Sequence, residues 1–242
     1  MNEFKPVAAE TFIKAIHDTE TYPCSVLVSA DFDNSIFDPT HFARSAVYCP
    51  PPMFRASRKR QAEYFAGRYL ANEAMSSYGT NQFKLIADAK RCPQWPSTLV
   101  GSITHTDRYA ACIVAKKSAI AAIGIDAQDI LNDSRAERVQ SRIIDSVESR
   151  LIAQSELTPA LGVSLCFSAK EAIYKALYPL VQQYFGFNAA KLHSINTIDG
   201  HLTFRFDPAL WILYNERNTL TVQYQIKDQR LLSCVMLNAV QK

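Results

Sequence analysis

The chemistry in this chain concentrates in four short stretches. In Phe167-Ser168-Ala169-Lys170-Glu171-Ala172-Ile173-Tyr174-Lys175-Ala176-Leu177-Tyr178, helical spacing places Ser168, Glu171 and Lys175 on one face and turns Lys170 away from it. A carboxylate between two ammonium groups near the positive end of a helix suits phosphates and a metal ion. The same residues also read as a capping box, Ser168-x-x-Glu171, and as an i,i+4 surface pair, Glu171–Lys175. A second stretch, Gly124-Ile125-Asp126-Ala127-Gln128-Asp129, closes an apolar run. The period of two puts Asp126 and Gln128 on one face and Asp129 on the other. An acid there is costly unless paired or bound to a cation; its plainer role is a helix N-cap or turn residue. The third stretch is Gly101-Ser102-Ile103-Thr104-His105-Thr106, with Thr104 and Thr106 on one face and His105 on the other. The fourth is Arg58-Lys59-Arg60, where basic residues at a helix start oppose its dipole by a fraction of a kcal/mol.

The elements that must position these residues follow from periodicity and breakers. Glu10–His17 reads as a short helix and Ser25–Phe32 as a strand. Pro50, Pro51 and Pro52 interrupt regular structure. Ser57–Met75 is a long helix with an apolar stripe of Ala62, Phe65, Ala66, Tyr69, Leu70 and Ala74. Trp95 sits between Pro93 and Pro96 in a rigid loop, placed to stack on a ligand or to plug a core. Leu99–Thr106 is a strand. Tyr109–Ala115 and Ala119–Ile125 are apolar strands, predicted to form a hairpin through Lys116-Lys117-Ser118. Ser134–Glu156 is helical, and Pro179 is expected to stop the helix that carries Glu171. Asp199-Gly200 turns a hairpin between His193–Ile198 and His201–Phe206, and Leu220–Ile226 and Leu231–Leu237 extend an antiparallel sheet. This order predicts an α+β protein.

Composition narrows the function. With 242 residues, 48% of them hydrophobic and 20% charged, the whole chain should fold, as one large domain or two of about 120 residues. A net charge of +3 is too weak for a general nucleic-acid binder. Locally, Arg55, Arg58, Lys59, Arg60, Arg68, Lys84, Lys90 and Arg91 face only Glu63, Glu73 and Asp88, an excess that suits a polyanionic ligand or an acidic partner. Six cysteines without a CxxC pair indicate free thiols in a reducing compartment. No signal peptide is visible, and no apolar run reaches the roughly eighteen residues of a membrane span. A soluble, cytoplasmic protein is expected.

Together, and at these spacings, four motifs resemble the 4′-phosphopantetheinyl transferase superfamily. They are the helix ending in Ala66-Gly67-Arg68, the Gly-Ser-Ile-Thr-His-Thr turn, the Gly-Ile-Asp-Ala-Gln strand and the Phe-Ser-Ala-Lys-Glu-Ala-Ile-Tyr-Lys helix. The resemblance covers roughly residues 45 to 185 and is nearest to the enterobactin synthetase component D branch of the surfactin-type enzymes. It implies two pseudo-symmetric α+β halves, 1–118 on the nucleotide side and 119–242 carrying the metal and the catalytic helix. Each half would contain an antiparallel sheet, with coenzyme A in the cleft between them. It implies transfer of the phosphopantetheine arm of coenzyme A to a carrier-protein serine, with Mg²⁺ on the pyrophosphate.

By that resemblance, Asp126, Gln128 and Glu171 would hold Mg²⁺, and Glu171 would be the general base. Lys175 and Lys170 would reach phosphate oxygens and assist the leaving group. Thr104 and His105 would contact coenzyme A phosphates, Arg60 with Lys59 would take the 3′-phosphate, and Arg91 would lie near the nucleotide. Two departures stand out: Gln128 where the family usually has an acid, and Thr104-His105-Thr106 where it has Ser-His-Ser. The expected partner is an apo peptidyl or aryl carrier domain of siderophore synthesis, with fatty-acid acyl carrier protein second. Such acidic partners suit a sequence pI of about 8.5, and Ile130–Leu151 is a docking candidate. A monomer is implied. The rival readings are a metal-dependent phosphodiesterase using Asp126, His105 and Glu171, which lacks HxH or HD clusters, and a non-catalytic coenzyme A-binding relative, suggested by Gln128.

Overall fold

The computed structural model describes residues 12–17, 22, 24–206 and 218–239. The chain divides into two compact units, Met1–Ile120 and Ala121–Lys242.

In the first unit, strands β1 (Ile13–His17), β2 (Ser25–Phe32), β3 (Leu99–His105) and β4 (Tyr109–Lys116) form an antiparallel sheet in the order β1-β2-β4-β3. A short helix α1 (Thr40–Arg44) precedes the long helix α2 (Arg58–Ser76). Ser57 caps α2 by accepting from Arg60 N at 3.3 Å. The three prolines start a 3₁₀ turn, Pro51–Arg55, and Gln61 Nε2 ties it to the helix by donating to Ala56 O at 2.9 Å. The apolar stripe of α2 packs on the sheet: Phe65, Leu70, Ala71 and Ala74 share one core with Val28, Ala30 and Phe32 of β2 and Ala110, Cys112 and Val114 of β4. Phe12, Phe37 and Phe42 close this core around Phe65, all with ring centroids within 6 Å of it.

In the second unit, β5 (Ile120–Asp129) leads into α3 (Asp133–Ile143), α4 (Ser146–Ala153) and the long α5 (Pro159–Val181). Strands β6 (Ala190–Asn196), β7 (His201–Phe206), β8 (Thr219–Lys227) and β9 (Arg230–Asn238) follow, and the sheet order is β5-β9-β8-β7-β6. The core joins Val163, Cys166, Ala169, Ile173 and Leu177 of α5 to Leu202, Phe204, Val222 and Val235 of the sheet. The two units repeat one plan: the strand that precedes the long helix pairs with the last strand of its own sheet. The architecture is α+β with two antiparallel sheets, as the sequence predicts.

Four local expectations are corrected. Tyr109–Ala115 and Ala119–Ile125 are not a hairpin: β2 and β3 occupy both sides of β4, so β5 pairs with β9 instead. Within the predicted helix Glu10–His17, Ile13–His17 is a strand drawn onto the edge of β2 (Ile16 opposite Ala30); Glu10 and Thr11 lie outside the described residues. Ser134–Glu156 is two helices, broken where Asp145 leaves the first and caps the second in a capping box with Glu148. Finally, α5 runs through Pro179 to a left-handed C-cap at Gln182 (φ 53°), whose N–H bonds Tyr178 O at 2.9 Å.

Candidate active site

In the C-terminal unit the site is set by how closely α5 lies on β5. A Cβ on Gly124 would stand 1.9 Å from Ala172 O, so only glycine allows this approach. Two side chains from α5 then fasten the end of β5. Ser168 Oγ donates to Asp126 O at 3.1 Å. Lys175 Nζ donates to Ile125 O at 3.0 Å and to Asp126 Oδ1 at 2.8 Å. Ser168 is therefore no helix cap; that place belongs to Thr158, with Pro159 in the first turn. Glu171 lies mid-helix between the two anchors, without the positive helix end that the shorter helix had promised.

The electrostatics of this cluster are legible. Burial, and then the Asp126 carboxylate, push the Glu171 carboxyl above its ordinary value, with Lys175 opposing them. Lys175 pairs with Asp126, and Glu171 adds a second, half-buried carboxylate whose proton affinity Asp126 raises and Lys175 lowers; that leftover negative charge suits a divalent cation with oxygen ligands. Gln128, partly exposed one strand period on, donates through Nε2 to Asp129 O at 2.9 Å, so its amide oxygen is the end available to a metal. Among the described residues, no three His, Cys, Asp or Glu side chains group as metal ligands. A cation here would rest on Asp126 and Glu171, completed by the Gln128 amide or water.

In the N-terminal unit a second cluster joins the start of α2 to the end of β3. Arg60 Nη1 lies 2.9 Å from His105 Nε2 and 3.3 Å from Glu63 Oε2. Glu63 Oε2 is also 3.9 Å from His105 Nδ1. Beside them Lys59 Nζ pairs with Asp107 Oδ1 at 2.6 Å. Arg60 and His105 are partly exposed cationic or polar groups held on one edge. Thr104 is buried at 3% exposure, so His105 is the member of that pair that offers its side chain to a ligand.

Both units match known proteins. Residues 52–115 match the model of the 4′-phosphopantetheinyl transferase N-terminal domain, and residues 122–231 that of the 4′-phosphopantetheinyl transferase superfamily. Enterobactin synthase component D of Salmonella typhi is 35% identical over 170 residues, covering 70% of this chain and 69% of that protein. Its namesake from Escherichia coli K12 is 28% identical over 203 residues, covering 81% and 88%. The 4′-phosphopantetheinyl transferase PptT of Mycobacterium tuberculosis is 27% identical over 203 residues, covering 76% and 80%.

The chain belongs to the 4′-phosphopantetheinyl transferase superfamily. Membership carries the coarse activity, transfer of phosphopantetheine from coenzyme A to carrier proteins. Among the described residues of this transferase, no helix is long and apolar enough to cross a membrane.

The remaining candidates fall to each side of these clusters. Lys170 is corrected: its side chain is 1% exposed, and its ammonium is spent on Glu148 Oε1 at 2.6 Å and Ile143 O at 2.7 Å. Helical geometry points it into the core, away from Glu171, and leaves no surface for a phosphate. Arg68, part of the local basic excess, is also buried, with Nε donating to Leu85 O at 3.2 Å and its guanidinium over the Tyr64 ring. Arg91 is exposed on a turn where Lys90 N and Cys92 N both donate to Asp88 Oδ1. Its φ of 68° is a left-handed conformation uncommon for arginine. Sequence reasoning missed two acids. Glu63 stands three residues after Arg60, and Glu148 stands at the capping-box position after Asp145; both spacings were visible.

Proposed function

We propose that this transferase moves the 4′-phosphopantetheine group of coenzyme A to a serine of an apo carrier protein and releases adenosine 3′,5′-bisphosphate. The observation that carries the reading is Glu171: a half-buried carboxyl raised by burial and by Asp126, beside an ammonium held on that same Asp126. A carboxylate there is placed to take the proton of a serine hydroxyl, directly or through water. In the reaction the serine oxygen forms a bond to the phosphorus bearing the pantetheine arm. The bond from that phosphorus to the bridging oxygen breaks, and the serine proton passes to Glu171. Lys175 stabilises the charge that develops on the leaving phosphate. Asp126 and Glu171, with Gln128, would hold Mg²⁺, which when bound neutralises the pyrophosphate. Arg60, with Lys59, takes the 3′-phosphate, His105 contacts a further phosphate oxygen, and Arg91 lies toward the nucleotide. Residues 1–118 thus supply nucleotide binding, and 119–242 the metal and catalytic helix.

The carrier is a peptidyl or aryl carrier domain of siderophore synthesis, with acyl carrier protein the second candidate. The names of the enterobactin synthase relatives support the siderophore assignment. The enzyme works as a monomer in the cytoplasm, a setting consistent with free thiols at all six cysteines. Incubation of the protein with coenzyme A, Mg²⁺ and an apo aryl carrier, read by intact carrier mass, tests the reading. One phosphopantetheine group gained with wild type and lost with Glu171→Gln supports it. Tight coenzyme A binding with no gain on aryl, peptidyl or acyl carriers would replace it with a non-catalytic binding role.

A further inference from the structure

Glu63 has no part in the transfer described above, yet it lies at the centre of the N-terminal cluster. It is 8% exposed, and burying a carboxylate is costly unless it is paired. Its neighbours here are the two groups assigned to phosphate: Oε2 lies 3.3 Å from Arg60 Nη1 and 3.9 Å from His105 Nδ1. The bond between Arg60 Nη1 and His105 Nε2, 2.9 Å, fixes the tautomer. A guanidinium only donates, so Nε2 accepts and the ring hydrogen sits on Nδ1, the side that faces Glu63. Arg60 retains 46% side-chain exposure against 10% for Glu63. The carboxylate therefore backs the cluster from the protein side while the guanidinium faces outward. Arginine loses rotamer freedom when it is fixed, and a backing carboxylate meets that cost before a ligand arrives.

We propose that Glu63 is a positioning residue that holds Arg60 ready for the 3′-phosphate, with His105 fixed beside it, and so sets the preference for coenzyme A over 3′-dephospho-coenzyme A. This rests on the reading that Arg60 and His105 receive phosphate. A carboxylate beside an anion site has an opposite effect as well, since it offsets part of the arginine charge; the geometry favours positioning because the acid lies behind both groups.

Calorimetry with coenzyme A and with 3′-dephospho-coenzyme A tests the proposal on wild type, Glu63→Ala and the near-isosteric Glu63→Gln, with transfer kinetics alongside. Positioning predicts that Glu63→Ala weakens coenzyme A binding about tenfold, the scale of one charge-assisted hydrogen bond. Binding of the dephospho form, kcat and the KM for carrier should hold, which also reports that the variant is folded. Glu63→Gln, which keeps an acceptor for Arg60, should fall between wild type and Glu63→Ala. A wild-type preference retained in Glu63→Ala, or tighter coenzyme A binding in Glu63→Gln, overturns the positioning role. A wild type that binds both donors equally overturns the assignment of Arg60 to the 3′-phosphate beneath it, and does so before any substitution is made.

Discussion

Lys175 reaches back from α5 to Asp126 on β5, with 2.8 Å between ammonium and carboxylate. It also donates to the Ile125 carbonyl, so the ammonium is held at a fixed point by two acceptors on one strand. The side chain keeps 28% exposure, and the face it presents to solvent is the one a phosphate would meet. Replacement by Met keeps the length and removes the charge. Lys175→Met should lower kcat for carrier modification by about 10²-fold or more, the scale of a lost preorganised donor. Rates from intact carrier mass check this. A variant within a few-fold of wild type would remove Lys175 from the chemistry.

Lys170, the neighbour of Glu171, is a structural cation. It and Glu148 are each 1% exposed, and Glu148 also accepts from Asp145 N and Leu192 N. Their contacts join the end of α3, the start of α4, α5 and β6. Lys170→Met leaves a buried charge alone and should cost about 3–5 kcal/mol of unfolding free energy. Adding Glu148→Gln, which removes that charge and keeps an acceptor, should recover part of the loss. Urea unfolding of the single and double variants decides it.

Acid should weaken the same region. Backbone donation from Glu148, then the Lys191 ammonium and Val147 N–H, hold the Asp145 carboxyl below its ordinary 3.8. A lowered folded value means stability that is fully present above pH 3.8 and lost as pH falls through the folded value. Asp145→Ala should therefore be less stable than wild type at neutral pH, with the gap narrowing well below pH 3.8. Thermal unfolding of both proteins across that range checks the sign; a gap that widened in acid would contradict it.

The docking proposal can be separated from coenzyme A binding. Arg135, Arg138 and Arg142 are exposed on α3, and Val147 on α4 is 53% exposed. Exposed basic side chains suit an acidic carrier surface. Arg135→Glu with Arg138→Glu should raise the KM for carrier several-fold and leave the KM for coenzyme A unchanged. Equal effects on both would sink the docking role.

Periodic and capped segments were legible in the sequence. Phe65, Ala66 and Leu70 marked the buried face of α2, and Asp199-Gly200 marked the turn between β6 and β7. Partner choice was not legible. Tyr109–Ala115 and Ala119–Ile125 read as a hairpin because nothing local shows that β4 is already paired on both sides. Ile13–His17 became a strand because β2 offered an open edge. At the site, the acid on β5 and the helix with Glu171 and Lys175 were visible as motifs. The fate of Lys170 was not: its neighbour Glu148 is distant in sequence, and only packing brings the two charges together. Glu63 was counted among the acids facing a basic stretch, but its contact with His105 depends on β3 lying beside α2.

The edge position of β5 has a consequence for the order of synthesis. Every residue assigned to phosphate or metal lies at or before Lys175, so the site's side chains are all synthesised before β6 to β9. Among the described residues, the strand that carries Asp126 has one neighbour in its sheet, and that neighbour is β9, the last of the described strands. Until Arg230–Asn238 has emerged, Asp126 sits on a strand with no partner. A chain that stops short of β9 would contain every assigned residue and still be unable to assemble them. Premature release before β9 should therefore be as damaging as loss of Glu171.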